Sequence, residues 1–431
     1  MKTQSRHLAV AGLLVLAVVS AWVVPTLGQA PAATGVTAFE GARVIVGDGR
    51  APIENAVIVV TGNRFTQVGR AADVRVPAGA TRVSLAGKTV MPAINDTHNH
   101  LSQTRDALLD DLKRRAYYGV GTAQSMGQDT TDVSFQIREE SREGKIPGAA
   151  RFFTAGRGIT APEPGRTTAP YWVTTTAEAR KAVQENAAKK VDLIKIWVDD
   201  RMGMVKKLSP ELYTAVIDEA HKSGLRVIAH IYTLEDHKGV LRAGVDAFAH
   251  GVRDKDVDDE FVAMVKQHPN LVLGPNMPDR GVRTDLTWLR DSIPAADWQK
   301  LEAANTSKPE ANAFWSIQAR NLAKMNAAGV KIVVGTDGNT PYAPHIEMED
   351  MVAAGLTPMQ VIVAATRNGA QFLRITDSGT IEANKSADFI VLDANPLDNI
   401  TNTRKISRVY LRGAAVDRAP FRVTQTAQAA R

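Results

Sequence analysis

The 431-residue chain contains no cysteine. That excludes disulfides, a lipidated N-terminal cysteine, thiolate metal sites and thiol nucleophiles, and it leaves nitrogen and oxygen donors for any metal. Neither sign of charge dominates, because 52 Lys and Arg stand against 46 Asp and Glu for a net charge of +6. The basic side chains are scattered rather than banked, so no nucleic-acid partner is expected. With 44% hydrophobic and 23% charged residues the composition is that of an ordinary globular protein.

The N-terminus is the one place with a long apolar run. Lys2, Arg6 and His7 precede Leu8 to Val24, and Pro25 and the small-residue stretch "TLGQAPAATG" follow. That order reads as a secretory signal over residues 1–30, cleaved after Ala21 or near Gly28 to Ala30, with an uncleaved anchor as the alternative. Export to a periplasmic or extracellular space is the expectation, with no stable membrane insertion once the leader is removed.

From Val36 to Val90 the text is short β-rich pieces such as "ARVIVGDGR" and "NAVIVVTGNRFTQVG", punctuated by Gly, Asn and Asp. From Met91 to Ile375 short apolar runs alternate with amphipathic helices. The strand candidates are "PAIND", "GTAQSM", "RFFTAG", "DLIKIWV", "RVIAHIY", "AFAHGV", "LVLGPN" and "IVVGTD". Between them, "SPELYTAVIDEAHKSG" has Ser209 as an N-cap, Pro210 in the first turn and Gly224 at the end. Eight such alternations are the arithmetic of an α/β (β/α)8 TIM-type barrel over 91–375, with an open doubly wound sheet as the runner-up. Residues 376–421 return to β character and are expected to join the first β unit, 36–90, in a small β-sandwich built from both chain ends; 422–431 form a tail.

In such a barrel chemistry collects at the C-terminal ends of the strands. His98 and His100 stand there after strand 1, Lys195 in strand 4, His230 after strand 5, His250 after strand 6 and Asp337 after strand 8. Singly, each has a structural explanation: a hydrogen-bonded histidine, a turn aspartate, a lysine reaching the rim. Together they come from different strands and meet at one mouth. His98 and His100 are i and i+2 on a strand, so they aim two imidazoles at one point and form a chelating pair suited to zinc. Lys195 lies inside an apolar strand, where an ammonium is costly. As a free amine it can take up CO2 as a carbamate, an anion able to bridge one ion on His98 and His100 and another on His230 and His250.

With these residues in hand, the chain resembles the amidohydrolase superfamily of metal-dependent hydrolases. The likeness rests on "MPAINDTHNH", the lone strand-4 lysine, "VIAH", "VDAFAHG", "GTDG", "GLTPMQVIVAATRNGAQFL" and "KSADFIVLDANPL". It is nearest the binuclear branch that holds Xaa-Pro and Xaa-Arg dipeptidases and related amide or carbamate hydrolases. The resemblance implies a distorted barrel with a β-sandwich, two divalent ions of the zinc kind, a carboxylated Lys195, and Asp337 as metal ligand and catalytic proton shuttle. Ala93-Ile94-Asn95 and Asn384 depart from the family's usual residues without touching a ligand.

The expected reaction is hydrolysis of an amide, peptide or carbamate C–N bond in a small substrate. A mononuclear deaminase or cyclic-amide hydrolase is the alternative within the superfamily, and an exported binding protein the alternative outside it. Tyr232, Arg157, Arg166, Tyr171 and His345, with Arg280 and Arg283, are the candidates to hold a substrate carboxylate. Tyr232 leads them, being i+2 from His230. A homo-oligomer is compatible with all of this.

Overall fold

The computed structural model describes residues 35–423. The leader expected over 1–30 and most of the tail lie outside them. Strands and helices alternate in parallel through the middle of the chain: β1 (Ile94–Asn99), β2 (Val120–Ser125), β3 (Arg151–Thr154), β4 (Ile194–Val198), β5 (Val227–Ile231), β6 (Ala247–Phe248), β7 (Val272–Leu273) and β8 (Lys331–Ile332). Their ladders form two parallel sheets. One is β1-β2-β3; the other runs from β4 to β8 with two short strands, Ile159–Thr160 and Tyr171–Trp172, at its start.

Backbone hydrogen bonds join these sheets at both sides. Thr97 N–H donates to Val334 C=O at 2.9 Å, linking β1 to the chain just past β8, and Asp192 N–H donates to Thr154 C=O at 2.9 Å, linking β3 to the approach of β4. An open doubly wound sheet would leave those edges unbonded, so the runner-up topology does not describe this chain.

Strands covered on both faces must satisfy their polar groups internally. Every residue of β1, β2 and β4 is buried. Accordingly the Asn95 amide donates to Thr366 C=O at 2.8 Å, and the Thr97 hydroxyl donates to Val334 C=O at 2.8 Å. The helices carry the caps that their sequences announce. Ser209 caps Pro210–Lys222 by accepting from Leu212 N–H, and Thr175 with Glu178 makes a reciprocal capping box on Thr176–Ala188.

Both ends of the chain build the second unit. Its eight-stranded sheet runs Ala414–Ala415, Ile406–Leu411, Phe389–Leu392, Thr89–Pro92, Val36–Val44, Ile53–Thr61 and Arg64–Arg70, with Thr81–Ser84 paired on Val36–Val44. Phe65 N–H donates to Lys385 C=O at 2.9 Å, and Ala387 N–H to Asn63 C=O at 2.9 Å, so the sheet curls and brings Arg64–Arg70 against the segment leading into Phe389–Leu392. The curl encloses Phe39, Phe65, Phe389 and Tyr410, the last two stacked with centroids 4.6 Å apart. The whole is a TIM-type barrel with a second, β-rich domain.

Candidate metal centre

The polar side chains at the strand ends converge as their positions predict. His98 Nε2 lies 3.1 Å and His100 Nε2 3.0 Å from Asp337 Oδ1. The ligand-capable atoms of these three residues all fall within 4.8 Å of one another. Lys195 Nζ is 3.4 Å from His98 Nε2, His250 Nε2 is 3.6 Å from Asp337 Oδ2, and His230 Nδ1 is 2.8 Å from His250 Nε2. Five strands thus deliver six side chains to one cluster.

Local backbone explains the convergence. The turn after β8 wraps on the end of β1, where Thr336 and Asp337 N–H both donate to His98 C=O at 3.0 and 2.9 Å. Asp337 sits at φ 52°, in the left-handed region that Asp tolerates better than most residues. That conformation turns its carboxylate back over the two histidines.

Burial sets the charge states. It holds the His98 imidazole at about 3 and the His230 imidazole at about 4, and His250 well below the usual histidine range, so all three rings are neutral at physiological pH. Burial acts against ionisation of Asp337, but the histidines around it, His98 first, outweigh burial and hold its carboxyl well below the usual range. Lys195 is wholly buried, and the loss of water brings its amine down to about 7. Trp197 lies against it, with Nζ 5.4 Å from the ring centroid.

Neutral imidazoles, an ionised carboxylate and a readily deprotonated amine are the protonation states a divalent cation requires of its ligands. His98 and His100 turn their Nε2 atoms into the cluster, while their Nδ1 atoms are buried without a hydrogen-bond partner among the described residues.

A family model for amidohydrolases matches residues 89–416. The chain belongs to the amidohydrolase family. It is therefore a hydrolase of carbon–nitrogen bonds. Imidazolonepropionase of Shouchella clausii (strain KSM-K16) is 25% identical over 394 residues, covering 83% of this chain and 83% of that protein. Ochratoxinase of Aspergillus niger is 23% identical over 419 residues, covering 85% of this chain and 82% of that protein. Among solved structures, a proposed prolidase from Bifidobacterium longum superposes with a TM-score of 0.72 at 29% identity, covering 89% of this chain and 95% of that one.

The substrate-binding candidates fare differently in this amidohydrolase. Tyr232 directly follows β5, which ends at Ile231, and stacks on Phe314 with centroids 6.2 Å apart. Arg157 spends its guanidinium on the carbonyls of Thr168, Ala169 and Pro170 and lies over the Tyr171 ring at 4.1 Å, so these two residues brace the loop after β3. Arg166 pairs with Glu163 at 2.6 Å, Arg280 with Glu349 and Asp350, and Arg283 with Glu302. His345 is not at the mouth. It is buried, with Nε2 on Tyr118 C=O at 2.8 Å and Nδ1 3.0 Å from the Thr403 hydroxyl, so its part is to join three segments of the fold.

The structure adds residues that sequence reasoning passed over. Asp199 Oδ2 lies 2.9 Å from His230 Nε2, and Arg201 pairs with both Asp199 and Glu163. Arg253 Nη2 reaches His250 Nδ1 at 2.7 Å. Asp199 closely follows β4, a position where an acid could have been singled out. Arg253 carries no comparable signal, because an arginine in "HGVRD" reads as a solvated loop charge.

Proposed function

We propose that the chain is a binuclear metal-dependent hydrolase that cleaves an amide, peptide or carbamate bond in a small substrate. His98, His100 and Asp337 would hold one ion, His230 and His250 the other, and a carboxylated Lys195 would supply oxygen donors to both. The buried Lys195 beside His98 carries this reading, since a lysine amine down at about 7 at the centre of a histidine cluster has no packing role that Leu or Met would not fill better. Neutral Lys195 adds to CO2 through its lone pair, forming an N–C bond and releasing one proton. The product is a carbamate with two oxygens to share.

Zinc or a similar divalent ion in this donor set supplies a water of lowered pKa and polarises the scissile carbonyl. Asp337 is the group placed to move the proton. Its carboxylate takes a proton from the attacking water and returns it to the leaving nitrogen, which a free amine requires in order to depart. Asp199 accepts from His230 Nε2–H and so leaves the lone pair of that ring on Nδ1, the tautomer that a ligand needs. Tyr232 and the loop after β7 face the substrate.

Metal analysis with a hydrolysis screen tests this. Purified protein should carry two divalent ions per chain, lose activity on N-acyl amino acids, dipeptides or carbamates when a chelator removes them, and regain it with zinc or manganese. One ion per chain in a fully active enzyme would establish the mononuclear alternative.

A further inference from the structure

Arg253 is a half-buried cation without an ion-pair partner among the described residues. No carboxylate lies within ion-pair distance of it among the described residues; its side chain bonds only Gln318 Oε1, at 3.3 Å through Nε, and His250 Nδ1, at 2.7 Å through Nη2. Buried guanidinium groups are ordinarily matched by carboxylates or by several carbonyls. Here an amide oxygen and a ring nitrogen stand in, at the edge of the catalytic mouth.

The donors of Arg253 set the polarity of its contact with His250. A guanidinium only donates, so Nδ1 of His250 accepts. The neutral ring then carries its proton on Nε2 and gives it to His230 Nδ1 at 2.8 Å, while His230 donates from Nε2 to Asp199. His230 already has the tautomer of a ligand. His250 has the opposite one: were its Nε2 to hold an ion, the proton would sit on Nδ1 facing the donors of Arg253, and Nη2 would be released to another acceptor.

The surroundings show where it would turn. Arg253 N–H donates to Tyr232 C=O at 3.0 Å, so the two residues are tied together. Tyr232 stacks on Phe314, and Phe314 and Gln318 are i and i+4 on one face of the helix Pro309–Ala327. A flat aromatic wall and a guanidinium fork thus stand side by side next to His250.

Resting on the hydrolase reading above, we infer that Arg253, with Tyr232 beside it, is the specificity-determining residue that receives a carboxylate of the substrate. The sequence points to Arg157, Arg166, Arg280 and Arg283 for that task, and all four are engaged elsewhere. Arg253, beside His250, makes no ion pair among the described residues, and carboxylates match the parallel N–H donors of a guanidinium.

The test uses full-length zinc-loaded protein, wild type and the variants Arg253→Met and Arg253→Lys. The probes are matched pairs: N-acetyl- and N-benzoyl-L-amino acids, and the same compounds with the carboxylate converted to a carboxamide. Ions per chain are measured on every sample. The wild type should favour the acids over the carboxamides by about 10²-fold in kcat/KM, as expected where a buried polar group would otherwise lose its partner. In Arg253→Met that ratio should collapse towards one, chiefly through KM for the acids, with two ions still bound. Arg253→Lys should fall between. An unchanged ratio in Arg253→Met overturns the proposal. So does loss of metal with both substrate classes failing in parallel, since that outcome makes Arg253 a support for His250. If the wild type cleaves neither class, the hydrolase reading fails on these probes, and calorimetry with the N-acetyl amino acids decides the anion site alone. Binding to wild type that Arg253→Met lacks supports it; equal or absent binding removes it.

Discussion

Lys195 is the residue on which most depends. A structural lysine and a metal-bridging carbamate predict opposite outcomes for the same substitution. If it bridges two ions, Lys195→Ala should lower the metal content and cut turnover by several orders of magnitude, and a short carboxylic acid added with zinc should restore part of the activity by filling the vacated space. Lys195→Met keeps the apolar stem and drops the charge; as a replacement for a merely structural buried lysine it should be tolerated or stabilising. Metal analysis and kinetics on both variants, beside intact mass of the wild type under native conditions to detect the added CO2, separate the two cases. A Lys195→Met protein with two ions and near-normal kcat would end the carbamate reading.

At the scale of elements, the glycines opposite β4 fix where Lys195 and Trp197 can lie. A Cβ on Gly158 would stand 2.0 Å from a Trp197 ring carbon, and one on Gly127 would stand 2.6 Å from the same ring and 3.0 Å from Lys195 Cγ. Gly158→Ala should therefore destabilise the protein by about 1–3 kcal/mol, the usual cost of overpacking a filled core. It should lower metal content as well, because the ring it displaces rests against Lys195. Thermal unfolding with metal analysis checks both, and Trp197→Leu in the Gly158→Ala background should recover part of each loss. Unchanged melting and metal content in Gly158→Ala would show that the ring moves freely.

These elements also show what a reader of the sequence can and cannot find. The strand ends were legible because a histidine or lysine closing an apolar run is chemically out of place, and the helix cap at Ser209 because capping is local. The ladders were less so. β6, β7 and β8 pair over two residues each, far less than their apolar runs suggest, since barrel curvature limits the regular ladder. Of the partners of His230 and His250, only Asp199 left a signal in the sequence, by following β4. Asp199 and Arg253 act through contacts that only the folded chain creates, and the arginines that looked available from the sequence are consumed by acids and loop carbonyls.

For the whole molecule, the leader makes the simplest prediction. If "MKTQSRH" and the apolar run after it are an export signal, mass spectrometry of the mature protein from its native host should find a new N-terminus between Trp22 and Ala33. An intact Met1 or Lys2 on soluble cytoplasmic protein would count against export.

His345 ties distant parts of the chain into one cooperative unit, and its charge gives that unit a pH dependence. It sits on the helix Ala343–Ala353, bonds Tyr118 just past the helix after β1, and touches Thr403 in the connection between two strands of the β-rich domain, Phe389–Leu392 and Ile406–Leu411. Burial holds its imidazole at about 4, against 6.5 in an unfolded chain. The folded-state value is the lower of the two, so the neutral ring's contribution is complete above about pH 6.5 and is lost progressively as pH falls towards 4. At about 1.4 kcal/mol per unit, roughly 2 kcal/mol should go between pH 7 and pH 5. His345→Gln keeps an N–H donor for the Tyr118 carbonyl and removes the titration. Denaturant unfolding of chelator-stripped protein, in which departing ions cannot contribute, should show the wild type losing about that much more stability than His345→Gln over the same interval. Parallel pH profiles for the two proteins would mean that the ring charges without cost, and that the junction between barrel and β-rich domain opens to water well before the rest of the chain unfolds.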